Sequence, residues 1–167
     1  MDRLWAPWRM NYIRQANEAE DDECFICKAI EHASEMNNLV VAEFSHVIIL
    51  LNKYPYNNGH IMVAPKKHLS NIKDMDNEIR LELMNCISIS TDILEQVLNA
   101  EGFNIGINMG KVAGAGIPDH LHIHIVPRWN GDTNYMPIIS DTKIISQSIE
   151  EAYTILKKAF MEYKDGI

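Results

Sequence analysis

The pattern of apolar and polar positions divides this chain into short extended segments and long helical ones. Two runs of branched apolar residues within 39–52 predict two strands, and residues 60–65 predict a third. After Asp76, a residue type suited to an N-cap, apolar side chains recur at helical spacing at Ile79, Leu83, Cys86, Ile87, Ile93, Leu94 and Val97. We predict a long helix here that stops at Gly102.

The second half of the chain predicts more strands and a closing helix. Residues 103–108 are typical of a strand, residues 110–118 form a glycine-rich loop, and another extended segment follows. The closing helix is indicated by Ile145, Ile149, Ala152, Tyr153, Leu156 and Phe160. Strands joined as hairpins with helices grouped apart predict an α+β fold, with a mainly antiparallel sheet, a long helix and a C-terminal helix.

Length and charge limit the domain organisation and the partners. The 167 residues fit one domain, which we assign to residues 21–167, and residues 1–20 are typical of an arm with an aromatic anchor. The net charge of −8 argues against nucleic acid as a partner, although a locally positive site can bind a small anionic substrate. The sequence predicts neither a signal peptide nor a membrane span, so we expect a cytoplasmic protein without membrane contact.

Three histidines at every second position mark residues 119–128, the segment that we predict to be the catalytic strand. Because side chains alternate along a strand, His120, His122 and His124 share one face and the apolar residues between them take the other. Imidazoles in this arrangement can hold a metal or present a nucleophile at neutral pH. The alternatives are an adventitious polar face and a catalytic zinc site built from all three histidines.

The glycine-rich loop leads directly into these histidines. Gly114 and Gly116 let backbone N–H groups approach an anion closely, so a phosphate held there would lie beside the imidazoles. A neutral imidazole can attack phosphorus without prior deprotonation and form a phosphoramidate, which water or another acceptor then cleaves. A neighbouring imidazolium could protonate the leaving oxygen. The order of loop and strand therefore favours chemistry at phosphorus.

The segment from His120 to Val126 matches the alternating pattern of the histidine triad (HIT) family, and the chain resembles that family over residues 20–135. Within the family, segments 4–9, 113–119 and 127–134 resemble the bacterial branch related to diadenosine tetraphosphate phosphorylases and dinucleoside polyphosphate hydrolases. The resemblance implies an enzyme, a nucleotide hydrolase or nucleotidyltransferase that cleaves dinucleoside polyphosphates such as diadenosine tetraphosphate.

The resemblance also implies roles for individual residues. His122 would be the nucleophile on the α-phosphorus and form a nucleotidyl-histidine intermediate, with phosphate or water as the acceptor. His124 would contact the phosphate and help to set the state of the leaving group, and His60 would sit beside the nucleotide. Asn52 lies where the family contacts the ribose. The residues expected to hold the phosphates are Asn108, Gly114, Ala115, Gly116 and Ile117.

The loop before the triad departs from the family pattern. Hydrolases and aminohydrolases of the family commonly carry Gln, Ser or Thr where this chain has Ala115, Gly116 and Ile117. These three positions offer no side-chain donor to a phosphate, so backbone N–H groups would have to serve. A nucleoside phosphoramidate hydrolase and a nucleotide-binding module without turnover stay as alternative functions.

The C-x-x-C formed by Cys24 and Cys27 indicates a zinc half-site or a redox pair. Some family members, and the related uridylyltransferases, pair such cysteines with two histidines, and the matching positions here are His68 and His120. The resemblance therefore implies a structural zinc ion, with segment 24–68 as the zinc-binding segment. In that case His120 is structural, which leaves the other two triad histidines for chemistry.

Triad-family proteins pair through a helix and extend the sheet across a two-fold axis. The resemblance therefore implies a homodimer with the helix at residues 76–100 in the contact. Trp5, Trp8, Trp129 and Tyr135 support an interface independently, because large aromatic residues are enriched at interfaces. The alternative is that the N-terminal tryptophans cover the core of their own chain.

Overall fold

The computed structural model describes residues 24–133, residue 145 and residues 147–166, so the predicted arm lies outside the described residues. The strands are β1 (Val40–Glu43), β2 (Val47–Leu51), β3 (Ile61–Pro65), β4 (Gly102–Ile107) and β5 (Ile123–Arg128). The helices of the described residues are α1 (Phe25–Glu31), α2 (Asn77–Leu98) and α3 (Ile149–Asp165). None of these helices is long and apolar enough to cross a membrane.

The five strands form one sheet in the order β1-β2-β3-β5-β4, and every neighbouring pair is antiparallel. β2 and β3 are buried on both faces, as expected for strands with α2 and α3 on one side and α1 on the other. Residues of α2 and α3 belong to the larger apolar cluster, and Ile26 and Ala29 of α1 belong to the smaller one. This architecture confirms the predicted α+β fold with its long helix and its C-terminal helix.

The long helix follows the apolar spacing but ends earlier than predicted. α2 stops because Asn99 adopts a left-handed conformation with φ of 51°. Gly102, the predicted stop, is instead the first residue of β4 and pairs with Arg128. Asp76 precedes the helix in an extended conformation, but its side chain makes no capping hydrogen bond and lies 3.4 Å from Lys67 Nζ.

β5 begins at Ile123, later than the sequence predicts, because two contacts end the ladder there. The N–H of Leu121 donates to the carbonyl of Leu69 (2.7 Å) and not to a strand. On the neighbouring strand Pro65 has no N–H, and its carbonyl accepts a hydrogen bond from His120 Nε2 (2.8 Å). His120 and His122 therefore lie in the segment that precedes β5, and His124 lies in the strand itself.

Candidate active site and metal centre

His122 has one ring nitrogen committed to the backbone. Its Nδ1 lies 2.9 Å from the carbonyl oxygen of His120, and because a carbonyl can only accept, Nδ1 must carry the hydrogen. Burial, which leaves the residue 4% exposed, lowers the pKa of His122 below its ordinary value. The ring is therefore neutral at pH 7, and its Nε2 has a free lone pair.

His60 stands behind His124 and fixes its tautomer. The backbone N–H of Tyr56 donates to His60 Nδ1 (3.1 Å), so the other nitrogen, Nε2, carries the hydrogen of the neutral ring and donates to His124 Nδ1 (3.0 Å). His124 is then left with its hydrogen on Nε2. The ring of His124 packs edge-on against that of His122, with centroids 4.9 Å apart. The site thus pairs an imidazole whose Nε2 carries a lone pair, His122, with an imidazole whose Nε2 carries the hydrogen, His124.

His60 is held neutral by its surroundings. The side chain is fully buried, and this burial, followed by the nearby His124 and His122, lowers the pKa of His60 to about 3. An imidazolium at this position would also place two N–H groups, its own and that of Tyr56, against each other. The resemblance implies that His60 lies beside the nucleotide, which stays a prediction; in the structure His60 is buried and in contact with His124.

The turn before β3 brings His60 into this position. Gly59 has φ of +67°, which favours glycine, and a Cβ there would lie 2.4 Å from Leu98 Cδ1. The Tyr56 ring stacks on that of His60 with centroids 4.9 Å apart. Asn52, predicted near the ribose, lies at the mouth of the same turn with its Nδ2 3.4 Å from His60 Nε2. The sequence does not predict this role of Tyr56, because a hydrogen bond from a backbone N–H leaves no trace in residue type.

The phosphate side of the predicted site lies between β4 and the triad. Asn108 follows Ile107, which pairs with Ile123, so Asn108 is level with the start of β5. The loop beyond it turns at Gly110 and Gly114, both with positive φ.

Three of the loop amides that could face a phosphate are used within the loop. Ala113 and Ala115 donate to the carbonyl of Gly110, and Gly114 donates to that of Lys111. Gly116 and Ile117 take part in none of these three bonds. The phosphate donors expected in this loop stay a prediction, and in the structure the amides of Gly114 and Ala115 are bonded within the loop.

A second cluster lies at the other end of the triad, where Cys24, Cys27, His68 and His120 place four potential ligand atoms within 4.8 Å of one another. His120 Nδ1 is 3.2 Å from Cys24 Sγ and 3.5 Å from Cys27 Sγ, and His68 Nδ1 is 3.2 Å from Cys27 Sγ. A tetrahedral zinc ion requires sulfur–nitrogen separations of about 3.5 Å. The two cysteines are not joined by a disulfide, so the set fits a metal ion.

The orientation of His120 suits a metal ligand. Its Nε2–H donates to the Pro65 carbonyl (2.8 Å), which leaves Nδ1 unprotonated and directed at the sulfurs, as is usual for metal-bound histidine. Burial, together with the hydrogen bond to Cys24, raises the pKa of the Cys27 thiol to about 11. A metal ion bound here would therefore displace a proton from Cys27.

Comparison with known proteins points to a single family. Residues 33–131, more than half of the chain, match the family model described as HIT domain. AP-4-A phosphorylase of Mycobacterium tuberculosis is 37% identical over 161 residues, which cover 93% of this chain and 83% of that protein. Bis(5'-adenosyl)-triphosphatase of Dictyostelium discoideum is 30% identical over 122 residues, covering 70% of this chain and 81% of that relative.

Solved structures share the fold. A Zn-bound histidine triad family protein from Mycobacterium smegmatis has a TM-score of 0.68 and 24% identity, covering 87% of this chain and 98% of its own. A hypothetical histidine triad nucleotide-binding protein from Sulfolobus tokodaii has a TM-score of 0.68 and 28% identity, and the match covers 86% of this chain and 96% of that protein. The chain belongs to the histidine triad (HIT) family, as its alternating histidines indicate.

Acid should destabilise this protein in part through His60. Its pKa is about 3 in the folded protein against an ordinary value of 6.5, so the unfolded chain binds a proton that the folded protein excludes. Stability is lost as the pH falls below about 6.5, by up to about 1.4 kcal/mol per pH unit from this group. Between pH 7 and pH 5, the free energy of unfolding should fall by about 2 kcal/mol less in His60→Gln than in the wild type. Urea unfolding at each pH measures this difference.

The difference between the wild type and His60→Gln measures the contribution of the His60 imidazole to the pH dependence of stability. Both proteins keep the four residues of the Cys and His cluster, so any loss of stability from metal release at low pH is common to the two. Parallel curves of stability against pH for the wild type and His60→Gln would contradict the inference that His60 is held neutral.

Proposed function

We propose that this protein cleaves dinucleoside polyphosphates such as diadenosine tetraphosphate, by transferring a nucleotidyl group to His122 and then to inorganic phosphate. The observation that carries the proposal is the hydrogen bond from His122 Nδ1 to the His120 carbonyl. That bond leaves Nε2 with a free lone pair on a neutral ring, which is the form that attacks phosphorus.

The chemistry proceeds in two displacements. The Nε2 lone pair of His122 forms a bond to the α-phosphorus, and the bond from that phosphorus to the bridging oxygen breaks, with its electron pair leaving on the remaining polyphosphate. The ring of the intermediate is cationic, and its Nδ1–H stays hydrogen-bonded to the His120 carbonyl. The acceptor then attacks the same phosphorus, and the N–P electron pair returns to Nε2. Splitting one displacement into two lowers each barrier.

His124 serves the leaving group and the phosphate oxygens as a hydrogen-bond donor. Its Nδ1 accepts from His60, so its hydrogen is on Nε2, the nitrogen to which we assign the donor role. A leaving polyphosphate is already an anion, and a hydrogen bond is enough to stabilise it. Asn108 and the amides of Gly116 and Ile117 are the further donors on the phosphate side.

The choice of substrate and acceptor rests on the relatives. AP-4-A phosphorylase of Mycobacterium tuberculosis matches 93% of this chain, and its name supports phosphate as the acceptor. Bis(5'-adenosyl)-triphosphatase of Dictyostelium discoideum supports the wider class of dinucleoside polyphosphates and makes water the second candidate acceptor.

A structural zinc ion is part of the proposal. The four ligand atoms of Cys24, Cys27, His68 and His120 make a closed tetrahedral set, which is typical of structural zinc. The ion would fix the start of α1 against the segment before β5 and would supply no chemistry to the reaction. The Zn-bound family protein from Mycobacterium smegmatis, which shares the fold, supports this assignment.

A homodimer is the proposed assembly. β4 is the last strand in the order of the described sheet, and its Ile105 and Ile107 are 48% and 36% exposed. Leu81 and Met84 on α2 are exposed as well, at 65% and 63%. Exposed apolar side chains on an edge strand and on the long helix favour association with a second copy.

His122→Ala should abolish turnover of diadenosine tetraphosphate while binding is retained, because a positioned nucleophile acts mainly on the chemical step. Steady-state assays and ligand titration measure the two effects. His124→Ala should be harmful but less complete. A loss of only a few-fold in His122→Ala would remove His122 from the role of nucleophile.

Product analysis with and without phosphate tests the acceptor in the same assay. ADP formed only when phosphate is present means phosphorolysis, and AMP means hydrolysis. If the wild type binds diadenosine tetraphosphate but forms neither product, the protein is a nucleotide-binding module without turnover. If it cleaves only nucleoside phosphoramidates, it is a phosphoramidate hydrolase.

Elemental analysis of metal-replete protein should find one zinc ion per chain, and Cys24→Ala should remove it. Metal that binds only the folded state must add stability, so chelation should lower the melting temperature of the wild type and leave that of Cys24→Ala unchanged. Equal melting temperatures for metal-free and metal-replete wild type would exclude the site.

Light scattering of the full chain at micromolar concentration should give the mass of a dimer. Leu81→Glu combined with Ile105→Glu should shift the mass toward the monomer, because a charge on either surface opposes its burial in an interface. A monomeric wild type would contradict the proposal.

A further inference from the structure

An ionised carboxylate is buried in the turn that follows β5. The side chain of Asp132 is 7% exposed and accepts hydrogen bonds from Arg128 Nε (2.6 Å) and Nη2 (3.0 Å). The N–H of Trp129 donates to the same carboxylate (3.2 Å). These donors, led by the Arg128 guanidinium, hold the pKa of Asp132 well below its usual range. Neither the metal centre nor the two displacements use this group.

Asn57 connects this carboxylate to the catalytic turn. It is buried, and its Nδ2 donates to Asp132 Oδ2 (2.9 Å) and to the Pro127 carbonyl (3.0 Å). Both amide hydrogens are therefore used, and the side chain has one orientation. The backbone carbonyl of Asn57 accepts from the backbone N–H of His60 (3.2 Å). Hydrogen bonds thus connect Asp132 to the Asn57 side chain, the Asn57 backbone to the His60 backbone, and the His60 ring to His124.

We propose that Asp132 is a positioning residue for the reaction, which acts through Asn57 and His60 to hold His124 in its donor orientation. The proposal rests on the proposed role of His124 at the leaving group. Its physical basis is that the Asn57 side chain is the crosslink between the turn after β5 and the turn that carries His60. A charged acceptor makes that crosslink stronger than a neutral one.

The turn after β5 has further anchors that do not involve Asp132. Trp129 Nε1 donates to the carbonyl of Asn99 (2.8 Å), and the N–H of Asn130 donates to Glu101 Oε2 (3.0 Å). Removing the Asp132 charge should therefore leave the turn folded and loosen Asn57. Glu101 anchors the same turn without touching Asn57, so Glu101→Gln is a matched control.

The first measurement is steady-state kinetics of Asp132→Asn and Glu101→Gln. A displaced donor should lower kcat of Asp132→Asn by about tenfold to a hundredfold, with KM close to that of the wild type. Glu101→Gln should keep kcat. If the two variants lose stability alike and both keep wild-type kcat, Asp132 is structural only and the proposal is overturned.

The second measurement does not depend on any substrate. The ¹⁵N imidazole signals of the wild type should show His60 and His124 each with hydrogen on Nε2 and none on Nδ1. Asp132→Asn should show a mixture of tautomers at His124, and Glu101→Gln should match the wild type. An unchanged His124 tautomer in Asp132→Asn overturns the proposal, even if no dinucleoside polyphosphate is cleaved and the proposed function itself fails.

Arg128→Lys provides a second variant in case Asp132→Asn does not fold. The Arg128 side chain is 46% exposed, so the substitution is mild, but it replaces the fork that orients the carboxylate with a single ammonium group. We expect the same changes in kcat and in the His124 tautomer, at smaller size. A folded Arg128→Lys with wild-type kcat and tautomers counts against the proposal.

Discussion

A neutral imidazole has one nitrogen that donates and one that accepts, so a protein bond to either nitrogen decides what the other can do. This constraint sets the hydrogen positions of His60, His122 and His124. The His120 carbonyl holds Nδ1–H of His122, and the Tyr56 N–H fills Nδ1 of His60. The pairing of a lone pair at His122 with an N–H at His124 follows from these contacts. Burial then keeps the rings of His60 and His122 neutral.

The same constraint joins the metal centre to the reaction. His120 donates through Nε2 to the Pro65 carbonyl, which turns its Nδ1 toward the two sulfurs. Its own carbonyl meanwhile orients His122. One residue is therefore a candidate metal ligand through its side chain and a support for the nucleophile through its backbone. Displacement of the segment that begins at His120 would be felt directly at His122.

The position of the fold's edges matters for the same site. The pairing of β5 with β3 begins only at Ile123, because Pro65 offers no N–H to the residues before it. The carbonyl of Pro65 binds His120 instead. The proline that ends the ladder thus also orients a metal ligand. At the opposite end of β5, the turn that contains Asp132 reaches back to Asn57. The segments at both ends of β5 therefore make hydrogen bonds that position residues of the site.

The alternating histidines, the long apolar helix and the C-x-x-C pair could be found from the sequence, because residue type and a period of two or 3.6 carry that information locally. The family pattern added His60 and His68. The sequence does not predict the short helix α1, because seven residues make only about two helical turns and are too few to establish a period. Only the tertiary structure decided the burial of His60 and the tautomers of His60 and His120. The tautomers depend on the N–H of Tyr56 and the carbonyl of Pro65, which are distant in sequence from the triad. No residue pattern specifies where a backbone N–H or carbonyl will point.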